Sequence, residues 1–166
     1  MRIRPASAKR LPTITPFLWF DHEAEEAAKF YVSVFKGGEI LRITRYPEGG
    51  PGPAGSVMTV NFRLLEQEFV ALNGGPVYKI TPAISFVVEC RTQREVDYYW
   101  RRLSAGGKKV QCGWLEDKFG VSWQIVPTEF LAMIEDKDAA RRQRMFSAML
   151  GMVKLDIKKL RAAARR

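Results

Sequence analysis

One supersecondary unit is written twice along this chain, and that repetition limits the fold more than any other feature of its 166 residues. The first copy opens with a strand-like run from Thr13 to Phe20 and continues from Glu23 to Phe35, where apolar residues recur at helical spacing. The second opens with a strand from Ala83 to Cys90 and a helix from Gln93 to Leu103 that stops at Gly106-Gly107. Each copy then runs into further strands. Two β-α-β-β units can pair their sheets around one cleft, and that cleft is the first place to look for function.

The remaining punctuation supports a single α+β domain. Lys36-Gly37-Gly38 ends the first helix, and a strand follows from Glu39 to Tyr46. Residues 47–55 are a loop by composition, because Gly and Pro there defeat both helix and ladder. Val57 to Leu64 alternates as a half-buried strand, and residues 65–68 turn it into a strand from Phe69 to Asn73. In the second unit, a strand from Lys108 to Leu115 turns at 116–120 and returns from Val121 to Val126. Beyond Asp136 the chain predicts a basic helix whose Phe146, Leu150, Val153, Ile157 and Leu160 make an apolar stripe to be buried on the body or on a second subunit. Gly151 and the cap-forming type of Asp156 are positions where that helix would divide. The organisation predicted is a basic arm over 1–12, one two-module domain over 13–136 (modules 13–76 and 83–127), and a basic helical extension over 137–166.

Charge and cysteine usage narrow the function classes. The formal net charge is +9, yet residues 11–136 hold 13 Lys or Arg against 16 Asp or Glu. The excess lies in residues 1–10, with four cations and no acid, and in 137–166, with ten cations against Asp138 and Asp156. A folded body without net positive charge is a poor footprint for nucleic acid as a main partner. Cys90 and Cys112 are far apart and lack C-x-x-C spacing, which predicts free thiols and a cytoplasmic protein. No apolar run reaches the roughly 18 residues of a membrane span.

Several runs together carry a family resemblance: residues 14–21, 24–31, Ala71-Leu72-Asn73-Gly74-Gly75-Pro76, Ala83-Ile84-Ser85-Phe86, Gln111-Cys112-Gly113-Trp114-Leu115, and Asp117-Lys118-Phe119-Gly120-Val121-Ser122-Trp123-Gln124-Ile125-Val126-Pro127. From residue 12 onward the chain resembles the PhnB-like proteins, also labelled the 3-demethylubiquinone-9 3-methyltransferase domain family. These belong to the vicinal oxygen chelate superfamily with glyoxalase I, bleomycin-resistance proteins and extradiol dioxygenases. The resemblance implies paired βαβββ modules and a homodimer. It also implies that metal-using relatives draw ligands from positions matching Thr15 or Pro16, Asn73, Pro82 or Ala83, and Gln124. Only Gln124 is a residue type the superfamily uses, and the lone histidine, His22, falls at a strand-to-helix turn. No catalytic metal and no other cofactor is expected. A nucleotide-binding methyltransferase would need a Gly-rich turn after its first strand, where this chain has Phe20-Asp21-His22-Glu23.

The candidate ligand-binding residues are therefore Gln124, Ser122, Asn73, Trp19, Trp114 and Cys112. Gln124 and Ser122 share a strand face, with Trp123 and Ile125 on the other. They either satisfy the sheet wall or orient a ligand. Trp19, Trp114 and Trp123 read first as core bulk. A nucleophilic Cys112 would have only His22 as base. Glu116 and Asp117 read as solvated turn charges. The leading function is small-molecule binding in the cleft. The alternatives are a metal-dependent or substrate-assisted enzyme of the superfamily, and an interaction module whose basic tails take an acidic partner.

Overall fold

The computed structural model describes residues 13–165, so the basic arm at 1–12 and Arg166 lie outside the described residues. Each sequence repeat is a βαβββ module, and each module makes one four-stranded sheet. The first contains β1 (Phe17–Phe20), α1 (Ala24–Val34), β2 (Glu39–Arg45), β3 (Val57–Leu64) and β4 (Gln67–Asn73), in the sheet order β1-β4-β3-β2. The second contains β5 (Ser85–Cys90), α2 (Gln93–Leu103), β6 (Lys108–Lys109), β7 (Trp114–Glu116) and β8 (Ser122–Pro127), in the order β5-β8-β7-β6. In both, the first strand lies parallel to the last, with Trp19 opposite Leu72 and Val87 opposite Gln124. This is a paired-module α+β architecture, as the resemblance implies.

Helical spacing sets what each helix buries. On α1 the buried residues are Ala24, Ala27, Ala28, Tyr31 and Val34, and on α2 they are Val96, Trp100 and Leu103. Thr92 caps α2 by accepting from the Glu95 amide at 3.2 Å. The α1 N-terminus has no such local cap, and Asn73 at the end of β4 supplies one, its Oδ1 accepting from the Ala24 amide at 2.8 Å. The helix-facing residues of both sheets form one core that unites Leu18, Phe62 and Ala71 with Val88, Trp123 and Ile125.

Two segments differ from the sequence expectation. The strand predicted over Thr13–Phe20 pairs only from Pro16 onward. The strand predicted over Lys108–Leu115 is interrupted, because Cys112 (φ 61°) and Gly113 (φ 82°) turn left-handed. Their amides leave the ladder to donate to the carbonyls of Met152 and Val153, each at 2.8 Å.

That kink receives the C-terminal extension, made of α3 (Thr128–Ile134), α4 (Ala139–Leu150) and α5 (Ile157–Arg165). Asp138 caps α4, and Asp156 caps α5 by accepting from the Lys159 amide at 3.0 Å. The expected break at Gly151 and Asp156 is present. The expected continuous stripe is not. Residues 151–156 turn the chain so that Ile157 and Leu160 are buried while Phe146, Leu150 and Val153 remain exposed. Met145, Leu155 and Leu160 form a second core with Phe130, Met133, Ile134, Met149 and Met152. Among the described residues, no helix is long and apolar enough to cross a membrane.

Candidate functional site

A cleft of about 780 Å³ opens where β1 and β4 end and the Gly/Pro-rich 46–56 segment folds over them. Its walls include Trp19, Leu72, Val57, Met58 and Tyr46, and its lining also holds Asp21, His22 and Glu25. Trp19 also lines two smaller cavities, one with Tyr78 and Phe119 and one with Phe17, Ile80 and Ile84. The indole is held from two sides. Its Nε1 donates to the Gly75 carbonyl at 2.8 Å, and its ring meets Tyr78 edge-on at 5.0 Å.

Two glycines allow both aromatic walls to lie flat on backbone. A Cβ built on Gly74 would stand 2.3 Å from the Trp19 ring, and one on Gly52 would stand 2.5 Å from the Tyr46 ring. Residues read from the sequence as turn punctuation therefore also shape the cleft. Neither Gly-rich stretch opens a helix: residues 49–55 join β2 to β3, and 74–75 follow β4.

The six candidate residues fall into two groups. Trp19 and Asn73 line this cleft. The Asn73 amide is committed, accepting from Ala24 and donating through Nδ2 to the Val57 carbonyl at 3.0 Å. It holds the cleft's shape. Gln124 and Trp114 are cross-strand partners on the second sheet, next to the Glu116–Ser122 pair. The alternation is as expected, with Trp123 and Ile125 buried in the core and Gln124 half-buried on the opposite side. Gln124 Nε2 donates to Ser85 Oγ at 2.9 Å, and Ser122 is 2% exposed. Cys112 sits at the kink preceding Trp114. The large cleft includes none of Gln124, Ser122, Trp114 or Cys112.

Asp117 corrects the sequence reading. It is not a solvated turn charge but 2% exposed, and its carboxylate accepts four hydrogen bonds. Tyr31 Oη (2.9 Å) and Trp123 Nε1 (2.8 Å) donate to Oδ2, and the amides of Phe119 (2.8 Å) and Val121 (3.1 Å) donate to Oδ1. Tyr31 belongs to the first module and Trp123 to the second, so one buried carboxylate ties the modules together. Burial pushes the Asp117 carboxyl above its ordinary range, against the pull of the Trp123 and Tyr31 donors. Burial, then the neighbouring Asp117, raise Tyr31 well above the usual phenol. A signal was present in the turn Asp117-Lys118-Phe119-Gly120, since an Asp that bonds amides two and four residues on is a known turn device. Glu116 does stay near solvent, paired with Lys108 at 3.0 Å.

The donor set does not fit a transition-metal centre. Asn73 has both amide atoms engaged, Gln124 is a lone amide, and Thr15, Pro16, Pro82 and Ala83 offer no imidazole or carboxylate. Among the described residues, no three of His, Cys, Asp and Glu stand close enough to hold an ion. The thiols are free, and burial, helped by Glu95, pushes Cys90 up to about 12. A thiol reagent at pH 8 is expected to label Cys112 in the native protein and Cys90 only after denaturation, giving one and then two modified thiols by mass spectrometry.

The profile of the 3-demethylubiquinone-9 3-methyltransferase family matches residues 12–126. A PhnB protein from Bacillus cereus is 39% identical, with a TM-score of 0.64, over 70% of this chain and 99% of its own. Protein PA1353 from Pseudomonas aeruginosa is 20% identical with a TM-score of 0.60, covering 70% of this chain and 98% of its own. The fosfomycin resistance protein FosX from Listeria monocytogenes is 12% identical with a TM-score of 0.50, covering 70% and 90%. These last two likenesses concern the fold alone. No curated protein matches the chain.

Proposed function

We propose, on the premise that the chain belongs to the 3-demethylubiquinone-9 3-methyltransferase domain family, that it binds a small, neutral, largely apolar molecule against Trp19. The observation that carries this reading is the cleft itself: two aromatic walls, each pressed onto a glycine, over an apolar floor. Its acidic lining is Asp21 and Glu25, the latter paired with Lys29 at 2.6 Å, beside the single His22, and no Lys or Arg lines it. A phosphate or polyanion would meet repulsion there, whatever the net charge of the whole chain.

Gln124 on the second sheet, which does not line the cleft, is proposed as a separate polar contact for the same ligand. Its Nε2 is used by Ser85, and no protein donor reaches Oε1 among the described residues. An amide presents hydrogen-bonding capacity without charge, which suits a ligand carbonyl or hydroxyl. The reading is tested with neutral aromatic fragments carrying one such group. Trp19→Ala should weaken their binding at least about tenfold through lost stacking area. Gln124→Leu should weaken it by about 1–3 kcal/mol, the cost of an unpaired polar group. A silent Gln124→Leu would remove the second-sheet patch from the site, and a silent Trp19→Ala would remove the cleft.

A homodimer belongs to the same proposal. Phe146, Leu150 and Val153 are 39%, 61% and 48% exposed on one short stretch, and β2 is an edge strand with Leu41 and Ile43 partly in solvent. Light scattering at micromolar concentration should give twice the chain mass, and Leu150→Lys should reduce it toward the monomer. A monomeric wild type would contradict the dimer.

A further inference from the structure

The family match ends at residue 126, and the Bacillus cereus protein is covered over 99% of its length by only 70% of this chain. The helices α3–α5 therefore stand beyond the family match, and after the acids Glu129, Glu135 and Asp136 the chain turns strongly basic. Residues 137–165 hold nine Lys or Arg against Asp138 and Asp156. That charge is not spread along a loose tail. The extension has its own core around Met145, Leu155 and Leu160. It is fastened to the body at the Cys112–Gly113 kink and through Gln93, whose Oε1 accepts from the Ile157 amide at 2.9 Å. A bidentate Arg161–Glu129 pair, 2.7 Å at both contacts, fixes α5 to α3.

Between α4 and α5 runs a groove of about 480 Å³, lined by Gln143, Arg144, Ser147, Lys159, Ala162 and Ala163. Arg144 and Lys159 stand on its two walls. Arg144 Nε donates to the Ala163 carbonyl at 3.4 Å, which lays the side chain across the groove. Among the described residues, no acid pairs with the Arg144 Nη atoms or with Lys159 Nζ, and no carboxylate lines the groove. Gln143 and Ser147 add neutral donors, and the small side chains of Ala162 and Ala163 leave room between the walls.

We propose that this groove binds the phosphodiester backbone of a nucleic acid, without sequence preference, as a second surface independent of the Trp19 cleft. Opposed cations over a small, uncharged lining suit a phosphate flanked by sugars. A bilayer fits less well. At about 100° per residue, Phe146 stands about 160° and Leu150 about 120° round α4 from Arg144, so the apolar groups it would take up do not share a face with that cation.

The test is fluorescence anisotropy of the full chain with a labelled single-stranded oligonucleotide of about 20 mixed nucleotides across a salt series. Binding should weaken with salt. The Arg144→Glu/Lys159→Glu variant should lose about tenfold or more in affinity, and its log–log salt slope should be shallower by about 1.4, two contacts at about 0.7 each. Circular dichroism reports whether the variant is folded, and Arg144→Gln/Lys159→Gln serves in its place if it is not. The proposal is overturned by a wild type that does not bind, or by variants that bind as well as wild type. It is equally overturned by loss confined to reversal of Arg2, Arg4, Lys9 and Arg10, or by equal binding to polyglutamate or to vesicles containing phosphatidylglycerol.

Discussion

Asp117→Ala is expected to destabilise the fold by about 3–5 kcal/mol, the range seen when one member of a buried charged network is removed. The change strands four donors at once: the Tyr31 hydroxyl, the Trp123 indole and two backbone amides. Each buried group left without an acceptor costs about 1–3 kcal/mol, partly relieved by water or relaxation. Tyr31→Phe removes a single donor and should cost about 1–2 kcal/mol. Because Tyr31 and Trp123 bond the same oxygen, the double variant should cost less than the two single changes added together. Urea unfolding measures all three. A loss below about 1 kcal/mol for Asp117→Ala would mean that the modules are held by aromatic packing alone.

The raised Asp117 carboxyl sets a direction for pH as well. Between the ordinary carboxylate range and its value in the fold, the native state binds more protons than the unfolded chain. Its contribution to stability is thus fully present below the ordinary range and lost as pH rises through the folded value. The stability of wild type relative to Asp117→Asn should therefore increase as pH is lowered through that window.

Gly74→Ala should damage binding more than folding. The added methyl would lie 2.3 Å from the Trp19 ring, closer than any real contact allows. The ring cannot swing away freely, since its Nε1 bond to Gly75 and its edge contact with Tyr78 would both be lost. The expected stability cost is about 1–3 kcal/mol for strain and a lost hydrogen bond. Fragment binding in the cleft should fall at least about tenfold, since one wall is displaced. Gly75→Ala is a useful contrast. It sits at φ 82° with open space around its Cβ position, so it strains the backbone without touching the indole. If both variants bind fragments equally, the Trp19 wall is not what holds the ligand.

Much of this fold was legible because local signals agreed with one another. Alternation in Val57–Leu64, helical spacing in 24–34 and 93–103, and the Gly151–Asp156 break all have causes within a few residues. What was not legible depends on contacts distant in sequence. Nothing near Cys112 announces a left-handed kink, because its cause is the carbonyls of Met152 and Val153 forty residues on. The same docking puts Leu155 against Gly113, and so decides which half of the stripe is buried. At the site, the position of Asn73 was legible but its duty was not, since its amide caps a helix 49 residues earlier. Asp117 was missed for the same reason, as its key partner Tyr31 lies 86 residues away.

A neutral, mainly apolar molecule packed on Trp19 should be visible at the indole itself. The most direct measurement is a ¹⁵N–¹H correlation titration of the full chain with neutral aromatic fragments bearing a carbonyl or hydroxyl, the Trp19 indole signal being identified by its absence in Trp19→Phe. Binding fragments should shift the Trp19 Nε1–H signal and the amides of Leu72 to Gly75, and Gly74→Ala should abolish those shifts. Fragments that bind while leaving those signals still, or a set in which none binds, would contradict binding on Trp19.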